Sequence, residues 1–425
     1  MDGSETAGHA EARRVPGEGV EPSRAEAHGF LRPARLPIPP SRPGRSRVAG
    51  RRLRTASVAL LVLSACTGDA PAPGDRELPT VVYLFDGSPA DAELVTAPAL
   101  AGLELAAHRT GAIEIEPLNV DGGSSELTAA LLDVAEDPAV VAAVIAPWTV
   151  PPSGAIDLLA THRLPVMTLS WVWGPPATGD GAWVSFVAHR AREAVLLLSA
   201  ADVAPDGASI CLAGDGHPAS RALLETAAEL GRAAGDPDVV VAGSTTGADR
   251  AGSVAEAIAD AGCPVLAWTG GAPGAASALS RSAGPPSIVV GPSRIKTDDG
   301  LAVATTRVDV LTVCACVDVT QSLDPLLQRF VHDLQAESGS PPGPFAVEAY
   351  DAGQLVASIL AAAGADDPRA ALRASLDNTL DFEGLAGRYT FEPDGSRAPG
   401  TMADAIWRAA GSRWLPVERS TVPPS

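Results

Sequence analysis

The 425-residue chain carries 31 Lys and Arg against 51 Asp and Glu, a formal net charge of −20, and the imbalance is uneven: the first 65 residues hold 11 arginines and 6 acids, leaving 20 basic and 45 acidic residues beyond them. A surface this acidic repels phosphate backbones, which excludes nucleic acid as a partner. No second long apolar run follows Cys66, so nothing after it is expected to cross a membrane as a helix, and its length exceeds what one hydrophobic core serves, which predicts two lobes.

In chain order, residues 1–50 are crowded with Arg, Pro, Gly and Glu and could bury no core. The stretch from Gly17 to Arg35 resembles translated transfer-RNA genes of GC-rich bacterial genomes, so the start is expected near Val48; the alternative is a disordered basic arm. Arg51, Arg52 and Arg54, the apolar segment Ala56 to Val62, and Leu63-Ser64-Ala65-Cys66 follow the charged, apolar, small-residue order of a secretory signal. The cysteine after the small pair resembles a bacterial lipobox, which implies lipidation at Cys66 and a membrane anchor through that lipid. Residues 67–79, rich in Pro, Gly, Ala and Asp, read as a tether.

From Thr80 short apolar runs alternate with amphipathic stretches. Strands are predicted at 80–85, 113–118, 140–146 and 165–169, with helices at 98–109, 127–135 and 156–161. After a break near Ala188 the pattern restarts, with strands at 208–213, 239–242, 265–269, 287–290 and 310–317 and helices at 219–233, 251–261 and 274–282. Continuously apolar strands separated by helices imply parallel sheets covered on both faces. The fold class is therefore α/β, two doubly wound parallel-sheet lobes, with ligands expected at the carboxyl ends of the strands. Four cysteines remain besides Cys66. Cys314 and Cys316 stand two apart in an apolar run, on one side of a strand, and are poorly placed to bond each other. Buried free thiols or one disulfide across the second lobe are the alternatives, and no ligand spacing supports a metal.

The C-terminal third adds Glu348-Ala349-Tyr350-Asp351-Ala352, Asp367-Pro368, Leu372-Arg373, Phe382-Glu383-Gly384-Leu385-Ala386-Gly387 and Phe391-Glu392-Pro393-Asp394-Gly395. In this order they resemble the type I periplasmic binding proteins, the branched-chain amino acid group of ABC-transporter substrate-binding proteins. The resemblance covers about residues 80–417. It implies three crossings between lobes, near Ala188, Asp318 to Ser322 and Leu380 to Gly387. The expected boundaries are thus 80–188 with 319–381 for lobe 1, 189–318 with 382–418 for lobe 2, and a tail at 419–425. It also implies an extracytoplasmic, lipid-anchored protein that captures a small molecule between its lobes for an ABC permease, the alternative being a surface sensor or scaffold without transport.

In the amino-acid-binding members two lobe-one loops hold the ligand carboxylate and an acid at the first crossing holds its ammonium. Those loops correspond to Trp148-Thr149 and Ser170-Trp171-Val172. Val172 stands where threonine is common, and Ala191-Arg192 fall where the acid is usual, so an anionic group suits the position better than an ammonium; the alternative is a one-residue shift that brings Glu193 there. Trp148, Trp171 and Trp268 are expected to face the cleft and stack on flat ligands, and His217 to line it after the first strand of lobe two. The chain has no Gly-x-Ser-x-Gly elbow, phosphate-binding Gly-rich loop ending in Lys-Ser/Thr, or His-Glu-x-x-His motif. It is read as a binder, with no catalytic residues and no cofactor.

Overall fold

The computed structural model describes residues 78–85, 96–119, 124–150, 154–171, 183–187, 190–201, 209–234, 239–245, 248–304, 308–319, 322–339, 341–363, 367–378, 381–398 and 404–417. The expected signal, Cys66, the tether up to residue 77, Val172 and Ala188 lie outside them. Strand β1 (Thr80–Phe85) is buried at Val81 to Leu84, and β3 (Val140–Ile145), a run of six apolar residues, is buried along its whole length. Such strands need apolar cover on both faces, and the intervening segments supply it. The helices α1 (Ala97–Thr110), α2 (Ser124–Glu136) and α3 (Ala155–Thr161) do so, while β2 (Glu114–Asn119), β4 (Val166–Thr168) and β5 (Trp183–Ser185) extend the sheet. The strands form one parallel sheet in the order β2-β1-β3-β4-β5. Helix α1 begins with proline in its first turn and stops at Gly111, whose amide donates to the Ala107 carbonyl.

The second series starts with α4 (Arg190–Ala201), β6 (Ile210–Asp215), α5 (Pro218–Ala234), β7 (Val239–Thr245) and α6 (Ala248–Ala261). It continues through β8 (Val265–Trp268), α7 (Ala272–Arg281), β9 (Ile288–Pro292), α8 (Asp298–Val303) and β10 (Asp309–Cys314). After α9 (Pro325–Ser338), α10 (Ala346–Ala363), α11 (Pro368–Leu376) and the hairpin β11 (Asp381–Gly384) and β12 (Gly387–Thr390), the chain returns as β13 (Ala405–Ala410) and β14 (Arg413–Pro416). The second sheet runs β14-β13-β10-β9-β8-β6-β7, parallel from β10 to β7 and antiparallel at β13 and β14.

The chain passes between the sheets three times. It leaves the first after β5, since α4 packs on β9 and β10. It leaves the second after β10, since α9 and α10 pack on α1. It leaves the first again before β13. This is the type I periplasmic binding protein fold. The β11–β12 hairpin packs on α10, and the Ser185 amide donates to the Gly395 carbonyl at 2.9 Å, so residues 381–398 sit with the first sheet.

Two disulfides join Cys211 to Cys263 and Cys314 to Cys316. The second corrects the expectation that Cys314 and Cys316 are poorly placed to bond each other. That reading assumed one strand through Val317, but β10 ends at Cys314 and residues 315 and 316 form a bend. The bend turns the two Cβ atoms towards one another with the Cα atoms 5.1 Å apart. Among the described residues no helix is long and apolar enough to cross a membrane.

Candidate functional site

In both sheets the strand order reverses direction of travel at one place, between β1 and β3 in the first and between β6 and β8 in the second. In α/β sheets ligands bind outside the carboxyl ends of the strands at such a reversal. Pro147 and Trp148 follow β3 closely. Trp148 adopts φ 66°, a left-handed conformation uncommon for a bulky residue, and its indole is 2 % exposed. Trp171, just beyond β4, meets it edge to face with ring centroids 5.1 Å apart. Between them Ser170 Oγ donates to the Thr149 carbonyl at 2.9 Å, and the Ser170 amide donates to Thr168 Oγ1 at the same distance. Thr149 and Ser170 are buried; the first bond ties the two loops together and the second fixes the turn that carries Ser170.

The second sheet contributes Asp215 at the end of β6, Gly270 and Gly271 after β8, and Ser293-Arg294 in a short 3-10 turn after β9. Asp215 Oδ1 accepts the His217 amide at 3.0 Å and Oδ2 accepts the Gly271 amide at 2.7 Å. A side chain at Gly270 would strike that carboxylate, since an added Cβ would lie 2.4 Å from its carboxyl carbon. The Arg294 guanidinium, buried with Nη1 4.0 Å from Asp215 Oδ2, lies 5.2 Å from the Trp148 ring centroid. This cation–π contact joins strand ends of the two sheets.

Of the residues singled out from sequence, Trp148, Thr149, Ser170 and Trp171 come together here. His217 lies at the carboxyl end of β6 as expected, where its Nδ1 accepts the Ala219 amide at 3.2 Å and caps α5. Arg192 points elsewhere: its fork grips Asp404 at the start of β13, with Nε 3.3 Å from Oδ1. Trp268 is fully buried beneath α7, in the core made by Ile258, Leu266 and Ala275, and its indole donates to the Gly271 carbonyl. It shapes the Gly270-Gly271 turn from behind instead of facing the cleft. Sequence reading missed Arg294, although its position two residues beyond an apolar strand end was a usable signal.

Beside the site, buried carboxylates hold the second crossing. Glu193 accepts the Ala315 amide at 3.1 Å; burial, with Asp404 adding repulsion, pushes its carboxyl up to about 8 against the pull of that hydrogen bond. Glu348 accepts the Val317 amide at 2.8 Å and burial pushes it up to about 7. Lys296 lies 3.6 Å over the Trp407 ring, and burial lowers its ammonium to about 8 despite Asp318 nearby.

The arrangement supplies hydrogen-bond donors, flat aromatic faces and one buried cation from two bodies joined by three chain segments. That combination defines a two-lobed binding protein. The family described as periplasmic binding protein matches residues 83–412, and the chain belongs to it. No curated protein matches the sequence. Among solved structures, the branched-chain amino acid transporter substrate-binding protein LivJ of Streptococcus pneumoniae, with isoleucine, is similar at 14% identity and TM-score 0.61, covering 80% of this chain and 100% of its own. The leucine-binding protein LivK of Thermotoga maritima gives 15%, 0.62, 80% and 98%. An ABC-transporter solute-binding protein of R. palustris in complex with benzoate gives 17%, 0.62, 80% and 95%. At these identities the likeness is one of fold.

Proposed function

We propose that this protein is an extracytoplasmic solute-binding protein, anchored by lipid at Cys66, that closes two lobes on a small molecule and presents it to an ABC permease. The observation that carries the reading is the junction of Trp148 and Trp171 from one sheet with Arg294 from the other, at the carboxyl ends of the strands of both. A ligand seated there touches both lobes and so favours the closed state over the open one. Structural neighbours hold isoleucine and benzoate in the same fold, which sets the size of solute to try. The proposed lobes are 80–188 with 319–381 and 189–318 with 382–418, and the hairpin contacts on α10 favour moving 382–398 into the first.

A thermal-shift panel of amino acids, aromatic acids, sugars and polyamines tests the reading directly. At least one solute should raise the melting temperature in a saturable way, as any ligand of the folded state must. Indifference to every member would count against solute capture. Lipidation is tested separately by mass spectrometry of the protein from bacterial membranes, where Cys66→Ser should release it to the soluble fraction.

A further inference from the structure

The junction has a lopsided chemistry. The indole N–H groups of Trp148 and Trp171 are both buried and neither has a hydrogen-bond partner; the Ser293 hydroxyl beside Arg294 is in the same condition. Buried polar groups are paired in almost all native proteins, and exceptions gathered at strand ends call for a missing acceptor. Acceptors among these groups are already committed, and the unpartnered carboxylate oxygens of Glu193 and Glu348 belong to the second crossing. Asp215 spends one oxygen on the His217 amide and the other on the Gly271 amide, with Arg294 beside it. The Thr149 carbonyl takes the Ser170 hydroxyl. The surplus at the junction is therefore of donors, set beside the Arg294–Asp215 ion pair. A guanidinium is always charged and matches a carboxylate with two parallel donors. An indole N–H can only donate. A ligand ammonium would meet Arg294 as a like charge and find no uncommitted carboxylate among these groups.

Resting on the solute-binding reading above, we propose that the cleft selects a small planar organic anion, an aromatic or unsaturated carboxylate without an amino group. The carboxylate pairs with Arg294 and takes the indole N–H groups, and the flat body lies against Trp148 and Trp171. Opening of the lobes admits it. Closure brings Arg294 from the second sheet onto a carboxylate already held by the first. The same solute bearing an α-ammonium pays the desolvation of that charge with nothing to receive it, which sets the selectivity.

Titration of the full-length protein, followed by calorimetry and tryptophan fluorescence, uses benzoate, phenylalanine, leucine, benzylamine and a neutral sugar as probes. Benzoate is expected to bind about tenfold or more tighter than phenylalanine, as befits a charged group left unpaired. Benzylamine should not bind. Arg294→Gln should weaken benzoate by about tenfold or more, and Trp148→Phe and Trp171→Phe, which keep the ring and delete one donor, by roughly threefold to tenfold each. The two phenylalanine variants keep the test open should Arg294→Gln fail to fold. Leucine or phenylalanine binding tighter than benzoate, or unchanged benzoate affinity in all three variants, overturns the anion assignment. Binding of the sugar or an amino acid alone overturns it while leaving solute capture standing, whereas silence from every probe and from the wider panel overturns both.

Discussion

Asp351 accepts three hydrogen bonds at once: the Leu385 amide at 2.6 Å, the Ala386 amide at 2.8 Å and the Tyr389 hydroxyl at 2.8 Å. Burial raises its carboxyl to about 6, against the pull of those three donors. One side chain on α10 thereby fixes the turn of the β11–β12 hairpin, and Gly384 is required because a Cβ there would lie 2.6 Å from the Asp351 carboxyl carbon. Replacing Asp351 by Ala leaves buried donors unanswered and should cost about 2–4 kcal/mol of unfolding free energy. Urea denaturation measures it; a loss within experimental error of zero would show that water serves as well. The sequence marked both ends of this interaction, since Tyr350-Asp351-Ala352 and Phe382 to Gly387 were recognisable in order. It could not show that one binds the other. Gly387, with φ 108°, was legible as a turn from residue type alone, whereas the demand on Gly384 comes from a residue 33 positions away. Arg294 was hidden for the same reason: its partners Trp148 and Asp215 are brought to it only by the assembled sheets.

At the scale of elements, the crossing after β10 is held from three other elements and by its own disulfide. The Cys314–Cys316 bridge bends it, Glu193 of α4 takes its Ala315 amide, Glu348 of α10 its Val317 amide, and the Trp407 indole of β13 donates to Asp318 at 3.0 Å. Around these carboxylates stand Asp404 and its partner Arg192 near Glu193, and Arg397 and Asp351 near Glu348. Because burial raises both glutamates above the ordinary 4.5, to about 8 and about 7, the folded state holds protons the unfolded state has released. Their contribution to stability is complete below about pH 4.5 and is lost as pH climbs through those higher values, at up to about 1.4 kcal/mol per pH unit for each group. Lys296 acts in the opposite sense: depressed from 10.5 to about 8, it makes stability rise between those values. These groups together place a stability minimum near pH 8. Glu193→Gln should flatten the fall between pH 5 and 8 in denaturant titrations, and a slope unchanged from the parent would refute the assignment. The Cys211–Cys263 bridge, spanning 52 residues, constrains the unfolded chain far more than the two-residue Cys314–Cys316 loop. Its double serine variant should lose about 2–4 kcal/mol in the same assay. Most strands and helices of both series were legible because burial on two faces leaves continuous apolar runs. The exceptions have local causes. Strand β5 is only three residues long, and Ala405–Ala410 reads as helix-prone alanine until antiparallel pairing with β10 makes it a strand.

Across the whole molecule, the contact of Arg294 with Trp148 makes closure partly self-sustaining. It joins strand ends of the two sheets without needing a solute. A desolvated cation–π pair contributes about 1–2 kcal/mol, and each 1.4 kcal/mol changes the ratio of closed to open forms about tenfold. The ligand-free protein should therefore spend much of its time closed, with ligand affinity tuned by how often the lobes part. Arg294 also takes part in ligand recognition, so the two effects are separated by measuring the protein without ligand. Spin labels at Glu104 on α1 and Glu225 on α5, both exposed, report the distance between the lobes. In the ligand-free protein Arg294→Ala should broaden and lengthen that distance distribution, because the open form no longer competes against the pair. Trp148→Phe keeps an aromatic face for the guanidinium while deleting the indole donor, so it should leave the distribution near that of the parent and still bind solute more weakly. If Arg294→Ala leaves the distances unchanged, the contact is a passive consequence of closure set by the three crossings alone. If Trp148→Phe opens the lobes as far as Arg294→Ala does, the indole donor contributes to closure, and the separation of latch from recognition fails.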